Sequence, residues 1–135
     1  MAYSGKYKPK NPKKYVGDSS KIVYRSLWER KLMVYCDTNN KVLEWGSEEI
    51  IIPYHSPWDN KVHRYYPDFY MKVEQASGKW KRFIIEVKPK HQCKPPPANP
   101  KRRTKRWFNE VKTYTINQAK WKQAIEFCLD NGMEF

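Results

Sequence analysis

Residues 62–90 read VHRYYPDFYMKVEQASGKWKRFIIEVKPK, and the fold is decided by this stretch. Two runs rich in β-branched and aromatic side chains, 62–74 and 80–90, flank QASG at 75–78, the composition of a hairpin loop. In the first run, which alternates around Pro67, strand spacing puts Phe69, Met71 and Val73 on one face. The second is nearly all apolar from Phe83 to Val87, as in a central strand covered on both faces. Glu86 interrupts it, and a carboxylate in an apolar strand is costly unless it is paired. Alternation places Glu86 and Lys88 on the same side, and an antiparallel neighbour can bring Asp68 next to them. The plain alternative is that Glu86 simply pairs with Lys88 or Lys90 at a sheet edge.

Upstream, VLEWGSEEIIIPY at 42–54 reads as a strand or a bent strand pair, closed by Pro53 and the turn SPWDN at 56–60. RSLWERKLMVYCDT at 25–38 reads as a helix, with Ser26 as N-cap and Glu29 at capping-box spacing. Leu27, Trp28, Met33, Val34 and Tyr35 make it apolar on more than one side, so the helix is expected to be largely covered. Residues 1–20 carry Lys6, Lys8, Lys10, Lys13 and Lys14 without periodicity and read as an extended basic arm, either a solvated tail or a strap on DNA or a partner protein. Residues 21–135 then form one domain. Downstream, the proline-rich and basic 91–106 reads as a long loop, 114–131 as a helix ended by Gly132, and only MEF follows. The fold class is α/β, a mixed sheet flanked by helices.

The chain has 135 residues, 27 Lys and Arg against 14 Asp and Glu, and a net charge of +13. Solubility needs only about 2–8 charges on a small domain, so this excess points to a polyanion. Mean hydropathy is −0.98, and no apolar run approaches the roughly 20 residues of a membrane span. The basic start has no apolar stretch behind it and does not read as a secretory signal. Cys36, Cys93 and Cys128 have neither zinc spacing nor the even count of a disulfide framework, and a reducing compartment is expected.

Two carboxylates at a sheet edge, Asp68 and Glu86, make a hard-oxygen site suited to Mg²⁺. A lysine there, Lys88, can orient or deprotonate an attacking water and stabilise developing charge. Phosphodiester hydrolysis then needs no Ser, Cys or His nucleophile. The cations Lys94, Lys101, Arg102, Arg103, Lys105 and Arg106 follow directly and can grip a DNA backbone, which gives affinity without sequence information. Trp107 beside them is a candidate for stacking on an unpaired base. His63 falls on the opposite side from Asp68 and reads as a surface or phosphate-contacting residue. No aromatic RNP1 strand or GXXG loop argues for RNA.

Pro67-Asp68 followed by Glu86-Val87-Lys88 resembles the signature of the PD-(D/E)XK nuclease superfamily, which includes restriction enzymes, archaeal Holliday-junction resolvases and TnsA-type transposon-end nucleases. The resemblance implies a mixed β-sheet core flanked by helices and an active site of Glu29, Asp68, Glu86 and Lys88, with Gln118 or Lys120 from the last helix. It implies Mg²⁺, with Mn²⁺ able to substitute, held by Asp68, Glu86, Val87 and Glu29, and DNA gripped by Lys90, Lys101, Arg102, Arg103, Lys105, Arg106 and Lys120. For Glu29 the alternative is helix capping alone. YRSLWER, VLEWGSEEIIIPY, VHRYYPDFY and SGKYKPKNPKKY together resemble the head-completion nucleases of T4-like tailed phages. That implies an endonuclease of low sequence specificity acting on packaged or terminal DNA late in virion assembly. It also implies portal or head-tail connector partners and a place in the host cytoplasm or the virion. The alternative is a catalytically silent DNA-binding protein of the head-tail junction. This family also has a strand after the last helix, which here would be missing or very short.

Overall fold

The computed structural model describes residues 4–88 and 90–135, without the side chains of residues 90 and 91. In chain order the strands are β1 Gly5–Lys6, β2 Val23–Tyr24, β3 Val42–Ser47, β4 Ile52–His55, β5 Val62–Tyr65, β6 Phe69–Glu74, β7 Trp80–Ile85 and β8 Met133–Glu134, and the α-helices are α1 Leu27–Thr38 and α2 Lys105–Asn131.

The central sheet has the order β3-β6-β7-β8. β3, β6 and β7 are antiparallel, whereas β8 runs parallel to β7, so the sheet is mixed. The expected hairpin is β6–β7, in register from Phe69 opposite Ile85 to Glu74 opposite Trp80. Gly78 closes its turn at φ 82°, a conformation that favours glycine. The 42–54 stretch is the bent pair: β3 stays in the central sheet, while β4 leaves it to form a separate hairpin with β5. The strand after the last helix is present as β8, two residues long.

Four expectations change. β7 ends at Ile85, before Glu86, because the Val87 N–H donates to the Asp68 carboxylate at 2.7 Å instead of continuing a ladder. It is an inner strand, but among its apolar residues only Ile84 is fully buried, with Trp80 exposed and Phe83 and Ile85 half-buried. α1 is covered on one side only: Met33, Cys36 and Asp37 are buried, while Leu27, Trp28 and Tyr35 are exposed. α2 begins at Lys105 rather than 114, with Thr104 as N-cap accepting from the Trp107 N–H, and Gly132 ends it in the left-handed conformation.

The basic N-terminal stretch is not a free extended arm: it holds β1, paired with β2, and 3-10 turns at Pro12–Lys14 and Ser19–Lys21, and it is docked on the domain. Tyr7 and Tyr15 are buried and meet Trp45 edge-on at 6.1 and 4.7 Å. Buried Asp37 accepts from the Tyr7 hydroxyl at 2.6 Å and from the N–H groups of Lys10 and Asn11 at 2.7 and 2.9 Å. The tyrosines go in and Lys6, Lys8, Lys10 and Lys13 stay out. This cluster, with Ile22, Met33, Cys36, Val42, Phe69 and Met71, is the core on one face of the sheet. On α2, Ala124 packs with Ile52, Tyr54 and Tyr65 of the β4–β5 hairpin, and Cys128 with Tyr70 and Ile84 of the sheet. No disulfide forms among the described residues.

Candidate active site

The end of the β6–β7 ladder sets the site. Phe69 opposite Ile85 is the last pair, so Asp68 and Glu86 are the next residues out on adjoining chains. Pro67 is buried and fixes the backbone entering Asp68. Asp68 Oδ2 accepts the Val87 N–H at 2.7 Å, which ties the two motif segments together. Glu86 is held on both oxygens: Oε1 lies 3.4 Å from Lys88 Nζ, and Oε2 accepts the Tyr65 hydroxyl at 2.7 Å. Its side chain is 10% exposed against 29% for Lys88, so the carboxylate is seated and the amine reaches the opening.

Burial, with repulsion from Glu86 and Glu29, pushes the Asp68 carboxyl up to about 6, against the opposing pull of the Val87 N–H and Lys88. Glu29 therefore belongs to the same electrostatic cluster, although its Oε2 accepts the Arg25 N–H at 2.6 Å. That contact and the Ser26 cap keep the helix-capping role as well. Burial also lowers Lys120, helped by Lys88 and resisted by Glu86, and raises Tyr65, helped by Glu86.

Asp68, Glu86 and Lys88 thus meet just beyond the paired ends of β6 and β7, and the charge of Glu29 on α1 acts on Asp68. Gln118 does not join them. It is exposed on α2, about 200° round the helix from Lys120 at ~100° per residue. Lys120 is the α2 residue at the site, with Nζ 5.6 Å from the Tyr65 ring centre and 5.9 Å from that of Tyr54. Val87 acts through its N–H toward Asp68, and its side chain is exposed.

Of the cations assigned to DNA, Lys101, Arg102, Arg103, Lys105 and Arg106 are exposed at the end of the loop and the start of α2. Arg106 pairs with Glu110 at 3.1 Å. Lys90 lies outside the described side chains. Trp107 is engaged rather than offered to a base: its Nε1 donates to the Pro97 carbonyl at 2.8 Å and Arg103 covers its ring at 5.7 Å. His63 is bound on the hairpin, 2.6 Å from Asp59 and stacked on Tyr54. Sequence reasoning missed Tyr65. Its signal was weak, an aromatic on the strand leading into Pro67-Asp68.

Among the described residues no three His, Cys, Asp or Glu side chains form a ready-made metal cage. The donor set still suits a hard cation that keeps most of its waters, as Mg²⁺ does. Asp68 and Glu86 supply carboxylate oxygens, and the burial and carboxylate repulsion that raise Asp68 are what a divalent charge would offset.

The family described as TnsA-like endonuclease N terminal matches residues 39–135. The chain belongs to the TnsA-like endonuclease family. The matched region of this endonuclease family takes in Asp68, Glu86 and Lys88, and the mixed sheet with its helices is the nuclease-like fold that the sequence implied. The protein "Head completion nuclease" of Enterobacteria phage T4 is 42% identical over 139 aligned residues, which cover 100% of this chain and 89% of that protein. This second match also takes in α1 and Glu29. No solved structure matches. No helix among the described residues is long and apolar enough to cross a membrane.

Proposed function

We propose that this chain is a Mg²⁺-dependent DNA endonuclease of low sequence specificity, working on packaged or terminal DNA during phage head completion. The observation that carries this reading is the convergence of Asp68, Glu86 and Lys88 at the open end of the central hairpin, with the charge of Glu29 acting on them. Membership of an endonuclease family and likeness to a head completion nuclease supply the rest.

Asp68 and Glu86, with Glu29 nearby, would hold the metal, which supplies Lewis-acid polarisation of the phosphate and an acidified water. Tyr65 and Lys88 fix the two oxygens of Glu86, so that its lone pairs keep one orientation. Lys88 Nζ, at the opening, orients the attacking water and offers its proton to charge developing on the phosphate. Lys101 to Arg106 grip backbone phosphates and read no bases. Portal or connector proteins are the proposed partners, and the host cytoplasm or the virion the place of action.

The test is to incubate purified protein with linear and supercoiled DNA of unrelated sequence in Mg²⁺ and map the cut sites. Cuts spread over many sequences are expected. Cutting at one motif would overturn the specificity claim, and no cutting of linear, supercoiled or branched DNA, even in Mn²⁺, would leave the silent structural role.

A further inference from the structure

Beside the carboxylates, three contacts link three parts of the chain in a series that the proposed reaction does not use. The Arg25 N–H donates to Glu29 Oε2 at 2.6 Å. The Arg25 guanidinium pairs through Nη1 with Glu48 Oε1. The Glu48 N–H donates to the Asp68 carbonyl at 3.1 Å. Arg25 is therefore fixed at its backbone by the Glu29 carboxylate and at its head by a residue whose amide hangs from the Asp68 backbone carbonyl.

Glu48 adopts φ 54°, the left-handed region that a residue with a β-carbon enters at an energetic cost. In this conformation it reaches Asp68 through its amide and Arg25 through its carboxylate. An exposed ion pair contributes little to stability, so the pair does not explain the strain as a stabilising device. The Arg25 side chain is 66% exposed, so its guanidinium is open to solvent and to a ligand. A guanidinium has several donors in a planar fork that matches a phosphate, and Glu48 engages it through Nη1. The charges of Glu29 and Asp68 also act on this guanidinium, after that of Glu48. Arg25 therefore sets a positive charge beside the carboxylates, which would oppose the binding of a divalent cation there.

We propose that Arg25 grips the phosphate to be cut, and that Glu48 holds it at the rim of the site until DNA arrives. This rests on the endonuclease reading and adds to it a residue that touches substrate. On DNA binding the guanidinium exchanges the Glu48 carboxylate for phosphate oxygens, while the Arg25 N–H stays on Glu29.

The experiment compares wild type, Arg25→Ala, Arg25→Lys and Glu48→Ala in single-turnover DNA cleavage, and follows Mg²⁺ binding separately by the Mg²⁺-induced rise in Tm without DNA. Arg25→Ala is expected to slow cleavage about 10²–10³-fold, the usual effect of deleting one transition-state donor. Arg25→Lys should restore part of this, since lysine keeps the charge and loses the fork. Glu48→Ala should lose much less activity than Arg25→Ala, because the guanidinium stays available to the phosphate. Mg²⁺ binding by Arg25→Ala should be equal to or tighter than wild type, because a competing positive charge is gone. Equal losses in Arg25→Ala and Glu48→Ala, or weaker Mg²⁺ binding in Arg25→Ala, would show that the pair only braces the fold and overturn the proposal. So would wild-type cleavage by Arg25→Ala. An inert wild type would instead overturn the endonuclease reading on which the proposal stands.

Discussion

Replacing Asp68 by Asn should abolish cleavage and yet make the metal-free protein more stable. Burial and the charges of Glu86 and Glu29 raise the Asp68 carboxyl from 3.8 to about 6. A carboxyl with a raised folded-state pKa binds its proton more tightly when folded than when unfolded. Stability contributed by that proton is therefore full below about 3.8 and is lost as pH climbs to about 6. At about 1.4 kcal/mol per pH unit the difference amounts to about 3 kcal/mol, and solvent at the open side of the site screens it to about 1–3 kcal/mol. The amide removes the charge and can still accept the Val87 N–H through its oxygen. In EDTA at pH 8 the variant should melt about 5 °C or more above wild type. The gap should close by pH 4, and adding Mg²⁺ should stabilise wild type but not the variant. A variant less stable than wild type at pH 8, or a gain that is the same at pH 4, would refute the argument that burial and neighbouring charge strain the Asp68 carboxylate.

Other outcomes follow from the same geometry. Tyr65→Phe removes the hydroxyl that holds Glu86 Oε2; removing a hydrogen bond to a charged group costs about 1.5–3 kcal/mol, so half-saturation for Mg²⁺ in cleavage should rise at least ten-fold while the fold persists by circular dichroism. Asp37→Ala leaves the Tyr7 hydroxyl and the N–H groups of Lys10 and Asn11 without their acceptor; at about 1–3 kcal/mol each, urea unfolding should show a loss of about 3 kcal/mol or more, and protease should cut first within residues 4–20. Neutralising Lys101, Arg102, Arg103, Lys105 and Arg106 together should weaken DNA binding and lower the slope of log K against log salt by about 0.9 for each DNA phosphate that is no longer neutralised.

The central hairpin was legible because its signals agree: alternation into Pro67-Asp68, a turn at 75–78 and an apolar strand into Glu86. Agreement across levels is what makes a segment readable. Where periodicity was the only guide, reading failed. The first turns of α2 carry Lys105, Arg106 and exposed Phe108, which blur any apolar stripe, and Thr104 as N-cap was the signal to follow. Counting apolar residues on α1 overstated its burial, since Trp28 and Tyr35 face outward. In the basic stretch the lysines drew attention, although Tyr7 and Tyr15, eight residues apart, are what dock it. Gln118 and Lys120 could not be separated from sequence because the phase of α2 depends on which face meets the β4–β5 hairpin. Tyr65 and Arg25 reach the site through folding across strands and through Glu48, which no local pattern records.

The most direct test of the nuclease account is plasmid cleavage under Mg²⁺ titration, with wild type and Glu86→Ala assayed side by side and DNA binding measured in the same buffer. The expected result is cleavage by wild type that appears with Mg²⁺ and disappears in EDTA, and none by Glu86→Ala although it binds DNA as tightly. Cleavage by Glu86→Ala at the wild-type rate, or cleavage by wild type that survives EDTA, would contradict it.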